Sequence, residues 1–261
     1  TRLPLAAAIA LLVAACAPNA TRPPEKNVAA STQAASADAQ FADLSKRWLD
    51  GTFAASPVSA TQTGDHRHDA ELDDFSADGR AHSLAFAHAV LADVDKIDAA
   101  KLSRENQVDV AILRNQLRSD IWNAETSQDW AWNPLVYSGI AGNALFSLMA
   151  RDFAPLPDRL RAATSRMEKL PTLYAQMHAN LDPARVPKIY AETALKQNKG
   201  VLSIVDEQIA PHAKELPDAE RQRLEAAIAN LRKAVDENQQ WLDHTLVPNA
   251  KGDFRIGAER Y

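Results

Sequence analysis

From residue 38 onwards, apolar and polar positions alternate with the period of an α-helix. The pattern opens with Phe41, Leu44, Trp48 and Thr52, which are spaced at i, i+3, i+7 and i+11. This spacing predicts a first helix with Asp38 or Ser36 as its N-cap. A second helix is predicted from about residue 78 to residue 98, and Ser103 is placed to cap a third.

The third predicted helix carries apolar residues on more than one of its faces. These residues are Val108, Ile112, Leu113, Leu117, Ile121 and Trp122. A helix that is apolar around much of its circumference is usually buried between neighbours. We therefore expect this helix to be covered on several sides.

Prolines divide the second half of the chain into longer helices. Pro157 suits the first turn of one helix, and Pro171 inside the same pattern predicts a kink or break. Asp182-Pro183 is predicted to cap the next helix, and Pro217-Asp218 the last. The last helix carries a two-helix seam at Leu224, Ile228, Leu231, Val235, Asn238 and Leu242.

These patterns predict an all-α fold of antiparallel helices joined by Pro-marked turns. The sequence has no phosphate-binding GxxxxGK[ST] motif, no Gly-rich dinucleotide turn and no alternation typical of parallel strands. The α/β classes that bind nucleotides are therefore unsupported.

The N-terminus differs from the rest of the chain in its amino-acid composition. Residues Leu3 to Ala15 form an apolar run that is too short to span a membrane but fits the apolar core of a signal peptide. The run ends at Cys16, and Val13-Ala14-Ala15-Cys16 resembles a bacterial lipobox, which predicts that Cys16 is lipidated. The alternative is an ordinary signal peptide with an incidental cysteine.

Three regions follow from this interpretation. Residues 1–15 are a lipoprotein signal peptide, residues 16–37 a flexible tether rich in Pro, Ala, Ser and Thr, and residues 38–261 a helical domain. A lipidated Cys16 would anchor the chain to a membrane without a spanning segment. Ala17, which is not acidic, favours sorting to the outer membrane, facing the periplasm.

Charge excludes one class of partner. The chain has 261 residues, with 29 basic and 34 acidic side chains and a formal charge of -5. Nucleic-acid binding depends on clustered Lys and Arg, whereas the basic residues here are scattered among acidic ones. No nucleic-acid partner is expected.

The stretch from Ser56 to Ser76 interrupts the helical pattern with a dense polar run. Gly64 is followed by Asp65, His66, Arg67, His68 and Asp69. These are the side-chain types of a metal site, but a zinc site needs three or four converging ligands. We favour a solvated or salt-bridged structural loop over direct metal binding.

A second irregular stretch, residues 128–137, contains two Trp, a Pro and a Tyr. Such aromatics can line a substrate cleft, but they more often fill gaps between helices. We favour packing here.

Several motifs together resemble the bacterial family catalogued as domain of unknown function 885. They are Ser56-Pro57, the run from Gly64 to Asp69, Ala179-Asn180-Leu181, Gln197 with Gly200, and the segment from Gly252 to Tyr261. The resemblance extends from residue 41 to residue 261. Members of this family are often exported lipoproteins, which agrees with the prediction for Cys16.

The resemblance implies a helical, zincin-like peptidase architecture of roughly twice this length. In that family the zinc motif lies in the C-terminal half, and this sequence contains no such motif. We therefore expect an N-terminal fragment that supplies scaffold and cleft wall, binds no metal itself and is inactive alone. The expected cofactor of the complete protein is zinc, and its expected substrate is a peptide.

Within that framework, Asp65, His66, Arg255 and Tyr261 are the substrate-cleft candidates. Arg255 could hold a substrate carboxylate in a bidentate manner, and Tyr261 could donate to an oxyanion. A salt bridge to a nearby acid is the alternative for Arg255.

Two other functions stay open at this point. The chain could be a non-catalytic helical envelope lipoprotein that binds peptide or a cell-wall component through its aromatic segment. It could also be a degenerate family member that has lost the metal-binding half.

Overall fold

A computed structural model of the protein describes residues 25–255, 257 and 258. Within this range the chain is helical, and its β-structure is limited to one isolated parallel bridge between Pro187 and Gly252. The all-α prediction is thus confirmed. The α-helices are α1 (Glu25–Ala55), α2 (Pro57–Thr63), α3 (Ala77–Val94), α4 (Arg104–Trp122), α5 (Pro134–Met149), α6 (Leu156–Asn180), α7 (Lys188–Gln197), α8 (Gly200–Ile204), α9 (Asp218–Trp241) and α10 (Val247–Asn249).

Helices α1, α3 and α4 form an N-terminal layer around a core of their own. Its buried residues are Phe41, Leu44, Val90, Val94, Leu102, Val110, Leu113 and Leu117. Ser103 caps α4 as predicted, because its hydroxyl accepts the backbone N–H of Asn106. Ser76 caps α3 in the same way through the N–H of Gly79.

Helix α1 begins earlier than its predicted N-caps. It starts at Glu25, so residues 25–37, which the sequence predicted to be tether, are helical in the structure. The stretch after Pro24 has no further proline and is rich in Ala, and these residues favour helix even without an apolar stripe. Asp38 lies inside α1, and its carboxylate accepts the backbone N–H of Ser103 at 2.9 Å.

Helix α4 is not covered on several sides, and that prediction was wrong. Ile112 is 62% exposed, and Val108 and Trp122 are exposed as well. Helices α1 and α3 pack against α4 around its buried residues Val110, Leu113 and Leu117. The circumference of α4 is therefore only partly covered.

Helices α5 to α9 form a C-terminal bundle with a larger core. Helix α6 packs against both α5 and α9. The predicted seam on α9 is confirmed, since Leu224, Leu231 and Val235 are fully buried. Pro171 does not interrupt α6, because buried side chains on both sides of it hold the helix in the core.

The helix predicted from Asp182 is divided in the structure. Asp182 instead begins a turn, in which its carboxylate accepts the N–H of Ala184. Helix α7 starts only after Pro187, which has no N–H to continue a preceding helix. Residues Val205–Ile209 then form a π-helical turn after α8.

Candidate functional site

The Ser56–Ser76 segment lies between the layer and the bundle. Helix α2 opens it and ends at Gly64, whose φ of 96° belongs to the left-handed region that glycine favours. The backbone N–H of Asp65 then bonds to the carbonyl of Ala60. Helix α2 contacts both α1 and α5, so the segment connects the two helical units.

Arg67 organises the first part of the polar run. Its guanidinium bonds Asp65, with 2.6 Å between Nη2 and Oδ2, and reaches Asp50 on α1 at 2.8 Å. These bonds hold the pKa of the Asp65 carboxyl at about 2, below its ordinary value. Asp65 is therefore a partner of Arg67 rather than a free carboxylate.

The two histidines of the run have separate partners. The imidazole of His66 lies 3.0 Å from Asp69 and stacks on Phe153 with 3.6 Å between ring centroids. His68 instead pairs with Glu71 at 3.2 Å. The run thus divides into local pairs rather than converging on one point. Across residues 25–255, 257 and 258, no group of three or more His, Cys, Asp or Glu side chains is arranged to hold a metal ion.

Arg166 on α6 forms hydrogen bonds to this segment from the side of the C-terminal bundle. It is fully buried, with 0% exposure, and its strongest bonds run to the carbonyls of Glu71 and Ala144, both at 2.9 Å, and to the Thr61 hydroxyl at 2.7 Å. Burial lowers the pKa of the guanidinium to about 10, so it stays charged at neutral pH. The buried cation is thus satisfied chiefly by backbone oxygens.

The sequence did not lead us to Arg166, although a signal was present. Arg166 occupies a position of the apolar stripe of α6, between Ala163 and Leu170. A charged residue at a core position needs buried partners, and the carbonyls of the polar run provide them. Asp73 contributes a second buried contact by accepting the N–H of Val58 at 3.1 Å, and burial raises its pKa.

The aromatic stretch combines packing with an unusual backbone. Residues Asn123–Ser127 form a π-helical turn, and Gln128 has a φ of 53°, the single positive φ of a non-glycine residue among the described residues. Trp130 packs under the Arg80 guanidinium at 3.8 Å, and the buried Tyr137 donates its hydroxyl hydrogen to the carbonyl of Trp130. These contacts confirm the packing interpretation for Trp130 and Tyr137. Backbone strain and π-turns occur often at functional sites.

Next to this stretch lies a small polar cleft of about 340 Å³, which we call the Arg255 groove. It is lined by Trp122, Ser127, Trp132, Ala184, Arg185, Lys251, Gly252, Asp253, Phe254 and Arg255. Three of these side chains are cationic and one is a carboxylate. The groove therefore favours an anionic ligand with an apolar part.

Close backbone packing builds one wall of the groove. The N–H of Gly252 bonds to the carbonyl of Val186 at 2.9 Å. A Cβ atom at this position would collide with the carbonyl oxygen of Arg185, so glycine is required. The Arg185 side chain in turn donates to the Gln128 amide oxygen at 2.9 Å, which ties the left-handed residue to this wall.

The sequence-predicted residues fall in different places. Arg255 lies in the groove with its side chain 73% exposed and pairs with Asp253 at 3.3 Å. Asp65 and His66 do not line the groove, and their contacts are structural. Tyr261 and Cys16 lie outside the described residues. No described helix is long and apolar enough to cross a bilayer.

Comparisons with known proteins show a family and a similar solved structure. The sequence model of the family described as bacterial protein of unknown function (DUF885) matches residues 57–261. A solved structure from Shewanella oneidensis, described as a candidate lipoprotein of unknown function, is 30% identical with a TM-score of 0.78. The match covers 85% of this chain but only 41% of that one. No curated protein matches the sequence.

Proposed function

Because the chain belongs to the DUF885 family of bacterial proteins of unknown function, we propose that it is part of an exported, lipid-anchored zinc peptidase. In this proposal, the helices described above supply the scaffold and one wall of the substrate cleft. The metal site belongs to a part of the complete protein that this sequence does not include. The chain spans 41% of the length of its solved relative, which leaves room for such a part.

Two observations support the lipid anchor. The apolar run from Leu3 to Ala15 ends at Cys16 in a lipobox-like sequence. The solved relative is itself described as a candidate lipoprotein. We place the protein in the cell envelope, anchored through Cys16 to the outer membrane and facing the periplasm.

The Arg255 groove is the observation that supports a role in the substrate cleft. Arg255, Arg185 and Lys251 surround a cavity whose apolar walls include Trp132 and Phe254. A planar guanidinium binds a carboxylate through two parallel hydrogen bonds, and aromatic rings accept an apolar side chain beside it. A peptide segment that carries a carboxylate satisfies both requirements. Asp253 would then exchange its contact with Arg255 for solvent.

The described residues do not fit zinc. A catalytic zinc site needs three protein ligands and an open position, and no such group is present among the described side chains. We therefore derive no catalytic step through the metal from this chain. The role proposed for its residues is to bind and orient a peptide.

The decisive experiment uses the complete protein rather than this part. We expect about one zinc ion per chain by metal analysis and cleavage of unmodified peptides in a peptide library. Arg255→Ala should raise KM about tenfold for substrates with a free carboxylate in the Arg255 groove and leave kcat nearly unchanged. Arg255→Lys should restore only part of the affinity, because lysine binds as a point charge.

Arg118→Ala is a matched control, since Arg118 is an exposed arginine on α4 that does not line the Arg255 groove. It should behave like the wild type. A complete protein that contains less than stoichiometric zinc and cleaves no peptide would rule out the peptidase.

The second candidate is a non-catalytic envelope lipoprotein that binds a peptide or a cell-wall component. The same groove favours it, because cationic and aromatic side chains can bind without any metal. Peptide binding that Arg255→Ala weakens, in a complete protein with neither zinc nor cleavage activity, would establish this function instead.

A further inference from the structure

A wide concave surface lies between helices α1 and α4, with residues of α3 as its floor. We call this surface the α1–α4 groove, and its volume is about 770 Å³. Trp48 and Leu49 line it from α1, Phe86 from α3, and Ile112 from α4. Leu49 and Ile112 are 40% and 62% exposed, so the groove presents an open apolar surface to solvent.

The groove has the length of a helix. On α1 its lining extends from Phe41 to Ala55, which is about 21 Å at 1.5 Å per residue. It continues into a second cavity of about 370 Å³, and the two share Ala55, Ser56, Ser83, Ala87 and Asp120. An elongated apolar trough between two helices is the usual receptor for the apolar face of a third helix.

The charges in the groove are carboxylates. Asp109 and Asp120 are the charged residues of its lining, and both lie on the α4 wall. Among the described residues neither carboxylate forms an ion pair, and the carboxylate of Asp120 accepts a single hydrogen bond, from the Gln116 amide at 2.8 Å. Neighbouring groups desolvate Asp120 and raise its pKa, although part of its surface is exposed.

Arg80 in the adjoining cavity does not neutralise these carboxylates. Its guanidinium is committed to the carbonyl of Phe75 at 2.5 Å and the amide oxygen of Asn180 at 2.7 Å. It also packs over the ring of Trp130. The two carboxylates on α4 thus remain available to a bound cation.

We propose that the α1–α4 groove binds a cationic amphipathic peptide helix. Its apolar side chains contact Trp48, Leu49 and Ile112, and its Lys or Arg side chains pair with Asp109 and Asp120. These two carboxylates are eleven residues apart on α4, about 16 Å, so two cations three helical turns apart match them. The proposal is independent of the proposed peptidase, because it needs neither zinc nor the Arg255 groove.

Charge also disfavours the other occupants. A second copy of this chain placed symmetrically on the groove would bring Asp109 and Asp120 of both copies together, which is repulsive. An anionic lipid surface would face the same carboxylates. A basic, apolar helix has neither conflict.

The test uses the complete protein produced without the predicted signal sequence, and fluorescein-labelled model helices of about 16 residues. One probe has a leucine face and two lysines eleven positions apart. A second probe has glutamates in place of the lysines, and a third has lysines but no leucine face. Fluorescence anisotropy should show saturable binding of the first probe and at least tenfold weaker binding of the other two.

Variants locate the binding surface. Ile112→Ser should weaken binding of the first probe about tenfold, because apolar contact is lost. The double variant Asp109→Asn, Asp120→Asn should weaken binding of this probe by a similar factor and make that binding less dependent on salt concentration. Ile189→Ser is the matched control, because Ile189 is a 55% exposed isoleucine on α7, outside the groove, and it should change nothing.

Four outcomes would overturn the proposal. The first is equal binding of the lysine and glutamate probes, and the second is no effect of Ile112→Ser. The third is the absence of any binding, which would indicate that another segment of the complete protein fills the groove. A dimer by light scattering that Ile112→Ser dissociates would assign the groove to a second copy. Zinc content and peptide cleavage, measured on the same samples, report on the peptidase separately.

Discussion

The N-terminal layer and the C-terminal bundle are built from similar amphipathic helices but finish their cores differently. In the bundle, the apolar stripes of α6 and α9 face each other, and Leu170, Leu224 and Leu231 within them are fully buried. In the layer, α4 buries Leu113 and Leu117 but leaves Val108 and Ile112 in solvent. An apolar stripe thus forms core only where another helix lies opposite to cover it.

The two units meet at the Ser56–Ser76 segment, and Arg166 is the contact that fixes it. The bundle provides the arginine, and the segment provides the carbonyls of Pro57 and Glu71. The unit boundary is therefore polar and specific, whereas each core is apolar.

The largest expected effect is at this boundary. Arg166→Met leaves several buried carbonyls without a donor, so the free energy of unfolding should fall by about 3–5 kcal/mol. Urea denaturation followed by circular dichroism measures it. Arg161→Met is the control on the same helix, where the exposed pair with Glu220 predicts a loss of at most about 1 kcal/mol. A loss below 1 kcal/mol for Arg166→Met would contradict the role of Arg166.

The second prediction compares the two cores directly. Leu231→Ala in the bundle should lower the free energy of unfolding by about 2–5 kcal/mol, because Leu231 is fully buried. Ile112→Ala in the layer should change stability by no more than about 0.5 kcal/mol. The same urea titrations apply to both variants. Similar losses for the two variants would show that Ile112 is covered in the complete protein.

A smaller effect is expected at the wall of the Arg255 groove. Gly252→Ala forces residues 251–255 away from Arg185, so the free energy of unfolding should fall by about 1–3 kcal/mol. Gly139→Ala is the control, because open space surrounds Gly139 inside α5, and it should stabilise by about 0.5–1 kcal/mol. Thermal unfolding of the two variants should therefore shift in opposite directions.

The smallest effect is a pH dependence within the bundle. His178 stacks on Trp241 and donates to Asn238 at 2.7 Å, and burial lowers its pKa from the ordinary value of 6.5. His178 therefore binds a proton more tightly in the unfolded chain than in the folded protein. The contribution of neutral His178 to the free energy of unfolding should be fully present above about pH 6.5. It should be lost as the pH falls through the lowered pKa of the folded state.

Urea titrations between pH 8 and pH 5 measure this decline. His178→Gln should flatten the profile, whereas His244→Gln, at an exposed position, should retain it. An unchanged slope in His178→Gln would assign the pH dependence to other groups.

The sequence predicted best what depends on neighbouring residues. The cap at Ser103, the start at Pro217-Asp218 and the seam of α9 follow from local spacing, and the structure confirms them. The start of α1 was predicted too late, because an Ala-rich stretch can be helical without the apolar period that we used as the signal.

Features that depend on distant contacts could not be predicted in this way. The exposure of Ile112 and the burial of Arg166 both depend on what lies opposite each helix, which local periodicity does not specify. For the candidate site, the sequence indicated Arg255 but not Arg185, Lys251 or Gln128. The bridge between Pro187 and Gly252 brings Arg185 and Lys251 to the groove, and Gln128 supports it from the left-handed turn by accepting a hydrogen bond from Arg185.

If Cys16 carries a lipid, as proposed above, the early start of α1 limits how far the protein can move from a membrane. Cys16 and Glu25 are nine residues apart, and a fully extended chain covers at most about 3.6 Å per residue. With a lipid on Cys16, the first turn of a 31-residue rod stays within about 32 Å of the bilayer surface. The protein would then sample only the solvent close to the membrane that holds its lipid, and its ligands would have to come to it there.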